Sequence, residues 1–276
     1  MNEIFSNILK TSIEGYLIQE DVFQKQAMQY MGGKFRTRKP IGEYLNKIRK
    51  EGQVYYEPFV GSAWILSQIK DGPNYASDAN EYLIALWKAL KKGWIPPEKI
   101  TEKQHESARQ QIRNGGKGRM SKELLAFIGF GCSFYGMWMA TYARDPKGKS
   151  NFALKAKNGL LGKLKLFNKD TKFSCCSYED LKPEKNSLIY CDPPYDGTDQ
   201  EYATQKKHDK DKIEHEKFDS EKFWEWCRKM TKAGHTVIVS EYKAPKDFKT
   251  VLRIKTHTCI NTDKGERVEK LFQYKG

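Results

Sequence analysis

The sequence predicts an α/β fold, a doubly wound and largely parallel sheet interrupted by a basic helical insertion. Short apolar runs suited to strands alternate with stretches of helical spacing, first in residues 54–90 and again after residue 172. Two of the apolar runs end at an aspartate, Asp78 and Asp192. Such folds bind ligands at the carboxyl ends of their strands, so both aspartates are candidate site residues.

The elements can be assigned in chain order. Residues 1–26 carry apolar side chains at helical spacing and predict an accessory helix of unknown role. Residues 54–57 predict the first strand, and an apolar helix through residues 64–66 is expected directly after it. A second strand at 74–77 precedes a helix at 83–90. Further strands are predicted at 172–176, 187–191, 235–240, 248–256 and 268–274.

The segment between these two sets of strands is helical, glycine-interrupted and basic. From Lys88 to Lys172 there are 19 lysines and arginines against six acidic residues, so nearly all of the net charge of +14 lies here. Such a surface is typical of a polyanion binder, whereas a solubilising face mixes both signs more evenly. We therefore expect residues 93–170 to form a nucleic-acid-binding insert in an α/β domain of residues 27–92 and 171–276.

Composition excludes several classes. No stretch approaches the roughly 20 apolar residues of a membrane span, and no signal-peptide pattern is present. The six cysteines form no C-x-x-C pair, and the adjacent Cys175 and Cys176 are poorly arranged for a structural disulfide. We expect reduced, mostly buried thiols in a cytoplasmic protein with no membrane association. His208 and His215 fit a solvated lid better than a metal site, so no metal is expected.

The tetrad Asp192-Pro193-Pro194-Tyr195 directly follows an apolar run. Proline has no N–H group, so the two prolines end the hydrogen-bond ladder of the strand. The backbone carbonyls beside Asp192 are therefore left without a partner in the ladder. A carboxylate and a free carbonyl can accept both hydrogens of an exocyclic amine, while Tyr195 offers a face to a planar base. The tetrad therefore predicts a slot for an amino-purine or amino-pyrimidine, although a tight turn capped by Asp192 explains it equally well.

Three weaker signals come earlier in the chain. Gly61, at a strand-to-helix turn, permits close backbone approach by a ligand, but packing alone can require such a glycine. Asp78 is placed to bind ribose hydroxyls or to cap the next helix, and both roles can hold together. The Gly-Gly-Lys run ending at Lys34 lacks the spacing of a phosphate-binding P-loop and alone predicts only a basic turn.

In this order the motifs resemble those of the DNA adenine-N6 methyltransferases of the DNA adenine methylase type. The similar segments are Tyr30-Met31-Gly32-Gly33-Lys34, Glu57-Pro58-Phe59-Val60-Gly61, Asp78-Ala79-Asn80 and Asp192-Pro193-Pro194-Tyr195. The resemblance runs from about residue 30 to the carboxyl terminus and includes the runs at 237–242 and 269–274. It implies a Rossmann-like methyltransferase sheet with a target-recognition insert before the Asp192 tetrad.

The resemblance also implies ligands and roles. It implies S-adenosylmethionine as cofactor, with Lys34 near its carboxylate and Asp78 on its ribose. Its catalytic positions fall on Asp192, Pro193 and Tyr195, which would hold and stack a flipped adenine of double-stranded DNA. Its cofactor-binding positions fall on Tyr30, Lys34, Phe59, Gly61, Asp78 and Asp192.

Two departures from the family stand out. Ser177 occupies the place of an acidic residue that contacts the cofactor's adenine, so that contact loses its charge. The run Cys132–Arg144 is bulkier than its glycine-richer counterpart and can reshape the base pocket.

Four basic residues of the insert are candidate DNA contacts. Arg144 and Arg119 are the candidate base readers, with a surface salt bridge as the alternative for Arg144. Lys117 and Lys147, in stretches expected to be flexible, are predicted to contact phosphates.

Several alternatives stay open. An N4-cytosine or an RNA adenine methyltransferase also starts from an exocyclic amine. A catalytically silent DNA-binding homologue is consistent with the two departures. The resemblance further suggests a restriction–modification role with a partner nuclease, and a monomer or weak dimer.

Overall fold

The computed structural model describes residues 33–195, 218–256 and 267–276. Four predicted features lie outside the described residues, namely the helix at 1–26, Tyr30, His208 and His215. The described chain divides into two compact units. One contains residues 89–166, and the other combines residues 33–88 with the described part of 167–276.

The second unit is built on a seven-stranded sheet. Its strands are β1 (Tyr55–Glu57), β2 (Asn74–Asp78), β3 (Lys172–Cys175), β4 (Leu188–Cys191), β5 (Thr236–Glu241), β6 (Phe248–Thr256) and β7 (Arg267–Tyr274). Their spatial order is β3-β2-β1-β4-β5-β7-β6. The first five strands in this order run parallel to one another, whereas β7 is antiparallel to both β5 and β6. The predicted Rossmann-like α/β fold with a largely parallel sheet is confirmed.

Strand β4 and helix α6 (Ser220–Lys232) supply buried side chains to the core of this unit. All four residues of β4 are fully buried, as expected for a parallel strand covered on both faces. Asp219 precedes helix α6 and caps it, because its side chain accepts from the Lys222 N–H at 2.9 Å. It packs Phe223, Trp224 and Trp226 into the hydrophobic core.

Two further helices complete this unit, and one predicted helix is replaced by turns. Helix α1 spans Arg38–Ile48, and α2 spans Glu81–Lys91, crossing into the other unit. After β1 the chain forms turns, with only a 3-10 turn at Leu66–Gln68. Gly61 and Ala63 have φ values of +46° and +57°, in the left-handed region that interrupts a right-handed helix. The prediction of a helix directly after β1 is therefore wrong.

The unit of residues 89–166 is helical. Its helices are α3 (Glu102–Arg113), α4 (Lys122–Gly131) and α5 (Phe152–Leu164). Helix α3 opens with a capping box, because the Thr101 side chain accepts from the Gln104 N–H at 3.2 Å and Gln104 Oε1 accepts from the Thr101 N–H at 2.8 Å. The apolar helix α4 contacts both α3 and α5 and forms the core of this unit.

Among the described cysteines, Cys132, Cys191 and Cys227 are buried, whereas Cys175 is exposed and Cys176 half-buried; all five are free thiols. No helix in the described ranges is long and apolar enough to cross a membrane. Within the same ranges, no group of three or more His, Cys, Asp or Glu side chains is placed to hold a metal ion.

Candidate active site

The sheet changes its direction of growth between β1 and β4. The chain builds β1, β2 and β3 outward and then returns to place β4 beside β1. In such sheets a ligand crevice forms outside the carboxyl ends of the strands at this switch point. Glu57 ends β1 and Asp192 directly follows β4, so two carboxyl groups lie at this edge.

Lys34 and Tyr195 complete a charged slot around Asp192. The Lys34 Nζ lies 2.6 Å from Asp192 Oδ1 and 4.5 Å from the centroid of the Tyr195 ring. The Lys34 side chain is 9% exposed and that of Asp192 is 19% exposed, so little water competes for the ion pair. Pro193, between Asp192 and Tyr195 in sequence, is buried. An amino group is thus held by a carboxylate above an aromatic face.

The far end of the Tyr195 ring is held by residues of the runs at 237–242 and 269–274, none of which was predicted to be a site residue. The Tyr195 hydroxyl donates to Glu269 Oε1 at 2.5 Å, and the same oxygen accepts from Ser240 Oγ at 2.8 Å. The ring of Tyr242 meets the Tyr195 ring edge-on, with 4.7 Å between centroids. The antiparallel pair β5–β7 therefore supplies a support for the slot.

Burial and neighbouring charges set the ionisation of the slot. Burial raises the pKa of Asp192 to about 6, although the Lys34 ammonium opposes this shift. Burial lowers the pKa of Lys34, but the carboxylates of Asp192 and Glu269 outweigh burial and raise it overall. Burial holds the pKa of the Tyr195 hydroxyl well above its usual range, so it remains a hydrogen-bond donor. At pH 7 the slot holds a charged Lys34–Asp192 pair.

Glu57 adds a second carboxyl group in a different protonation state. It is 2% exposed, and the Tyr55 hydroxyl donates to its Oε2 at 2.7 Å. Burial raises the pKa of Glu57 to about 8; the hydrogen bond from Tyr55 lowers it, and the charge of Asp192 raises it. At pH 7 Glu57 is mostly protonated and does not place a second full negative charge beside Asp192.

Gly61 and Asp78 join the loops that follow β1 and β2. The Asp78 Oδ2 accepts from the Gly61 N–H at 3.0 Å, and its Oδ1 accepts from the Asn80 N–H at 2.9 Å. Burial raises the pKa of Asp78 to about 6, while these two hydrogen bonds lower it. The Gly61 carbonyl accepts from Trp87 Nε1 at 3.0 Å, which fixes the turn from its other side. The structure thus brings two predicted cofactor residues into direct contact.

One other expectation for this region differs from the structure. The side chain of Asn80, and not that of Asp78, caps α2 by accepting from the N–H groups of Tyr82 and Leu83 at 3.1 and 3.0 Å. Phe59 packs into an aromatic cluster, with centroid distances of 5.4, 6.0 and 5.6 Å to Tyr178, Phe218 and Phe223. The Ser177 hydroxyl accepts from the Glu179 N–H at 3.4 Å.

Arg144 lies on the surface of the unit 89–166 in an ion pair. Its guanidinium contacts both carboxylate oxygens of Glu102, with Nε 3.3 Å from Oε2. The side chains are 68% and 55% exposed. Exposed pairs of this kind contribute little to stability, so the guanidinium can exchange Glu102 for another anion at small cost.

The loop that carries Lys117 and Arg119 is closed by Gln111. The Gln111 Nε2 donates to the carbonyls of Gly116 and Met120 at 3.0 and 2.8 Å, and its Oε1 accepts from the Met120 N–H at 3.0 Å. Lys117 and Arg119 themselves are exposed. The expected flexible loop is therefore fixed at its base while its basic side chains face solvent.

The loop that carries Lys147 is organised in the same way by Asp145. The carboxylate of Asp145 accepts from the N–H groups of Lys147 and Lys149, each at 3.0 Å. Both lysine side chains are exposed.

A group of exposed apolar side chains, the aromatic turn, occupies residues 134–137. Phe134 is 51% exposed, Tyr135 66% and Met137 41%. Tyr135 has a φ of +53°, and its ring meets that of Phe134 edge-on at 4.4 Å. Exposed apolar groups of this size mark contact surfaces. The bulky Cys132–Arg144 run thus exposes two of its aromatic side chains, Phe134 and Tyr135, to solvent.

Comparison with known proteins gives one family match. The family model described as D12 class N6 adenine-specific DNA methyltransferase matches residues 30–116 and 142–262, more than half of the chain. Residues 117–141, which include the aromatic turn, fall between the matched stretches. No curated protein matches the chain. The crystal structure of SMU.472 complexed with SAH aligns with 87% of this chain and 81% of that one, at 10% identity and a TM-score of 0.22, which is too low to carry an argument.

Proposed function

We propose that this chain, which belongs to the D12 class N6 adenine-specific DNA methyltransferase family, transfers a methyl group from S-adenosylmethionine to N6 of a flipped adenine in double-stranded DNA. Membership of the family identifies a DNA methyltransferase. The target atom, the cofactor and the entry of the base into the slot are what the proposal adds.

The position of the Lys34 ammonium carries the proposal. It lies 2.6 Å from a carboxylate oxygen of Asp192 and 4.5 Å from the ring centroid of Tyr195. An exocyclic amine attached to a base that stacks on Tyr195 would need the same two partners. The ion pair therefore supports the assignment of Asp192 and Tyr195 as the grip for a target amine. Lys34 must leave this position when the base enters.

The slot can compensate for the weak nucleophilicity of adenine N6. The lone pair of adenine N6 is delocalised into the ring. Two acceptors on its hydrogens, the Asp192 carboxylate and the Pro193 carbonyl, favour the pyramidal amine whose lone pair is localised. S-adenosylmethionine supplies the methyl group on a sulfonium and is left as a neutral thioether. Asp192 is the acceptor placed to receive the proton that the methylated nitrogen loses.

The residues at the carboxyl ends of β1 and β2 fit the cofactor chemically. A cationic Lys34 suits the carboxylate of S-adenosylmethionine. Each oxygen of the Asp78 carboxylate accepts one backbone N–H group and retains a further lone pair for a ribose hydroxyl. Gly61 carries no side chain between this carboxylate and a ligand. Phe59, which packs against Tyr178 and Phe223, and Tyr30 remain part of the proposal on sequence grounds alone.

Asp78→Asn is expected to weaken cofactor binding by about 1–3 kcal/mol, because the variant loses charge-assisted hydrogen bonds to the ribose. Calorimetry with S-adenosylmethionine measures the loss, and thermal melting checks that the fold persists. Asp71→Asn, at an exposed position of the same unit, is the matched control. Unchanged affinity in a folded Asp78→Asn variant would place the ribose elsewhere.

The unit of residues 89–166 is the proposed DNA-recognition region. It contains 16 lysines and arginines against five acidic residues. The charge attracts the phosphate backbone, and the exposed aromatic turn offers apolar faces to bases, which must leave the helix before methylation. We assign phosphate contacts to Lys117 and Lys147 and base reading to Arg144, with Arg119 second.

Lys147→Ala is expected to weaken binding to all DNA sequences alike and to reduce the salt-dependence slope by about one. Arg144→Ala is expected to weaken binding by about 1–3 kcal/mol, and only to the cognate sequence that the protein methylates. Glu102→Gln, which releases Arg144 from its ion pair, is expected to strengthen binding. Anisotropy titrations over a salt series, on cognate and scrambled duplexes, measure these effects. Equal, sequence-independent losses in both alanine variants would exclude Arg144 as a base reader.

Identification of the methylated nucleoside tests the function directly. DNA incubated with the protein and S-adenosylmethionine is digested to nucleosides, and N6-methyladenosine in its deoxy form is the expected product. N4-methylcytosine in the DNA digest, or methyladenosine in a parallel digest of RNA but not of DNA, would establish the alternatives that share the amine slot. Cofactor binding without any methylated product would identify a catalytically silent homologue.

The cellular setting follows from the same proposal. Duplex DNA is the proposed partner, and the proposed location is the cytoplasm. A restriction nuclease that cleaves the unmethylated site is the proposed functional partner, with the methyltransferase acting as a monomer or weak dimer.

A further inference from the structure

Glu269 lies behind the proposed slot, on β7. It is a buried carboxyl group, 7% exposed, on the strand that pairs antiparallel with β5. Its Oε1 accepts two hydrogen bonds, from the Tyr195 hydroxyl at 2.5 Å and from Ser240 Oγ at 2.8 Å. A buried carboxyl group costs free energy unless such donors satisfy it, so the arrangement requires the Tyr195 hydroxyl to point at Glu269.

This hydrogen bond determines the orientation of the Tyr195 ring. The ring is limited at its edge by Tyr242, at 4.7 Å, and one of its faces receives the Lys34 ammonium at 4.5 Å. The bond to Glu269 fixes the hydroxyl end of the ring and therefore its swing about the Cα–Cβ bond. The edge contact with Tyr242 limits rotation about the Cβ–Cγ bond, so the ring face stays turned toward Lys34 and Asp192. Because a stacked base needs that same face, loss of the anchor would let the stacking surface move.

We infer that Glu269 is a positioning residue, which acts through the Tyr195 hydroxyl to hold the ring in the orientation that receives the target base. The inference rests on the proposed function. It assigns a role to the β7 strand, which supplies no group to the grip itself. Glu269 makes no contact with the target amine in this assignment.

Two substitutions separate hydrogen bonding from charge. Glu269→Gln keeps a carbonyl oxygen that can accept from both Tyr195 and Ser240, since a single oxygen of Glu269 accepts both bonds. Glu269→Met has similar length but accepts neither bond. If positioning is the role, Gln preserves function and Met does not; if negative charge is the role, both fail alike.

The test is a double-mutant cycle on kcat and on KM for DNA, with Tyr195→Phe, Glu269→Met and the double variant. Glu269→Met is expected to raise KM for DNA about tenfold, with a smaller change in kcat, as loss of the hydrogen bond that positions Tyr195 implies. The double variant is expected to lose less than the product of the two single losses, because both changes remove the Tyr195–Glu269 bond, although Glu269→Met also removes the bond from Ser240. Glu184→Met is the control, since Glu184 accepts from the Tyr75 hydroxyl at 3.3 Å in an exposed pair.

A second cycle, on the free energy of unfolding in urea, reports the Tyr195–Glu269 bond independently of activity. Coupling in both cycles, together with near-normal kinetics for Glu269→Gln, supports the inference. Losses that multiply in the double variant, or equal losses for Gln and Met, overturn the positioning role and leave the proposed function standing. Absence of adenine methylation by the wild-type chain overturns the proposed function instead, while the unfolding cycle still decides whether the bond exists.

Discussion

Asp192→Asn is expected to reduce methyl transfer to adenine by about a hundred- to a thousandfold, the scale of losing one preorganised electrostatic contact to a transition state. The substitution changes the carboxylate into an amide of the same shape. Its NH₂ group would face the incoming amine, so donor meets donor, and the proton acceptor is lost. It also leaves Lys34 without the partner that lies 2.6 Å away.

Single-turnover transfer of labelled methyl groups to duplex DNA measures the loss, since this assay isolates chemistry from product release. DNA affinity is expected to stay within a few-fold of wild type, because we assign DNA binding to residues 89–166. Asp180→Asn, at an exposed position of the same unit, is the matched control. Turnover close to wild type in Asp192→Asn would remove Asp192 from the chemistry.

Most of the slot was predictable because parallel strands deliver their carboxyl ends to one edge of the sheet. Asp192 follows β4 and Asp78 ends β2, and both were identified from apolar runs that stop at an aspartate. The contact between Lys34 and Asp192 was not predicted. The resemblance assigned Lys34 to the cofactor's carboxylate, whereas here its ammonium occupies the proposed amine site.

Glu269 was not assigned a role because its contact depends on strand register. It lies 74 residues from Tyr195 in sequence, and the two meet only because β7 returns antiparallel beside β5. Periodicity predicts that a strand exists but does not specify its partner or its register. The alternation of side chains along β7 gives no signal either, because the positions that share the spacing of Glu269 are Arg267, the buried Leu271 and Gln273.

The missing helix after β1 has a different cause. Trp64, Ile65 and Leu66 are buried as predicted, but from turns. The backbone at Ala63 is left-handed, which the sequence does not signal because alanine is a strong helix former. Tertiary packing of the three apolar side chains therefore overrides local propensity.

Lys34→Met is expected to have the second large effect. It should change both the affinity for the cofactor and the pH dependence of activity. Removal of a buried cation that pairs with a carboxylate costs roughly a hundredfold in affinity, so cofactor binding should weaken to that extent. In the wild-type protein the pKa of Asp192 is about 6. Since protonation removes the acceptor, kcat/KM should fall as the pH decreases through about 6.

The direction of the pH shift in Lys34→Met follows from the charges in the slot. The Lys34 ammonium opposes the rise in the pKa of Asp192, whereas burial and the Glu269 carboxylate favour it. Without the ammonium, the pKa of Asp192 rises further, and a smaller fraction of the carboxyl group is ionised at any given pH. The residual activity of Lys34→Met should therefore start to fall at a higher pH than that of wild type.

Lys34 also links the two ligands, because one ammonium cannot pair with Asp192 and make way for the target amine. Duplex DNA with 2-aminopurine at the target position reports base entry by its fluorescence. S-adenosylhomocysteine, whose carboxylate offers Lys34 another partner, should increase base entry in wild type but not in Lys34→Met. Lys47→Met, at an exposed position on α1, is the control and should behave as wild type. Two results would show that Lys34 does not control Asp192. One is a kcat/KM that still falls near pH 6 in Lys34→Met, as in wild type. The other is base entry that S-adenosylhomocysteine increases in Lys34→Met as much as in wild type.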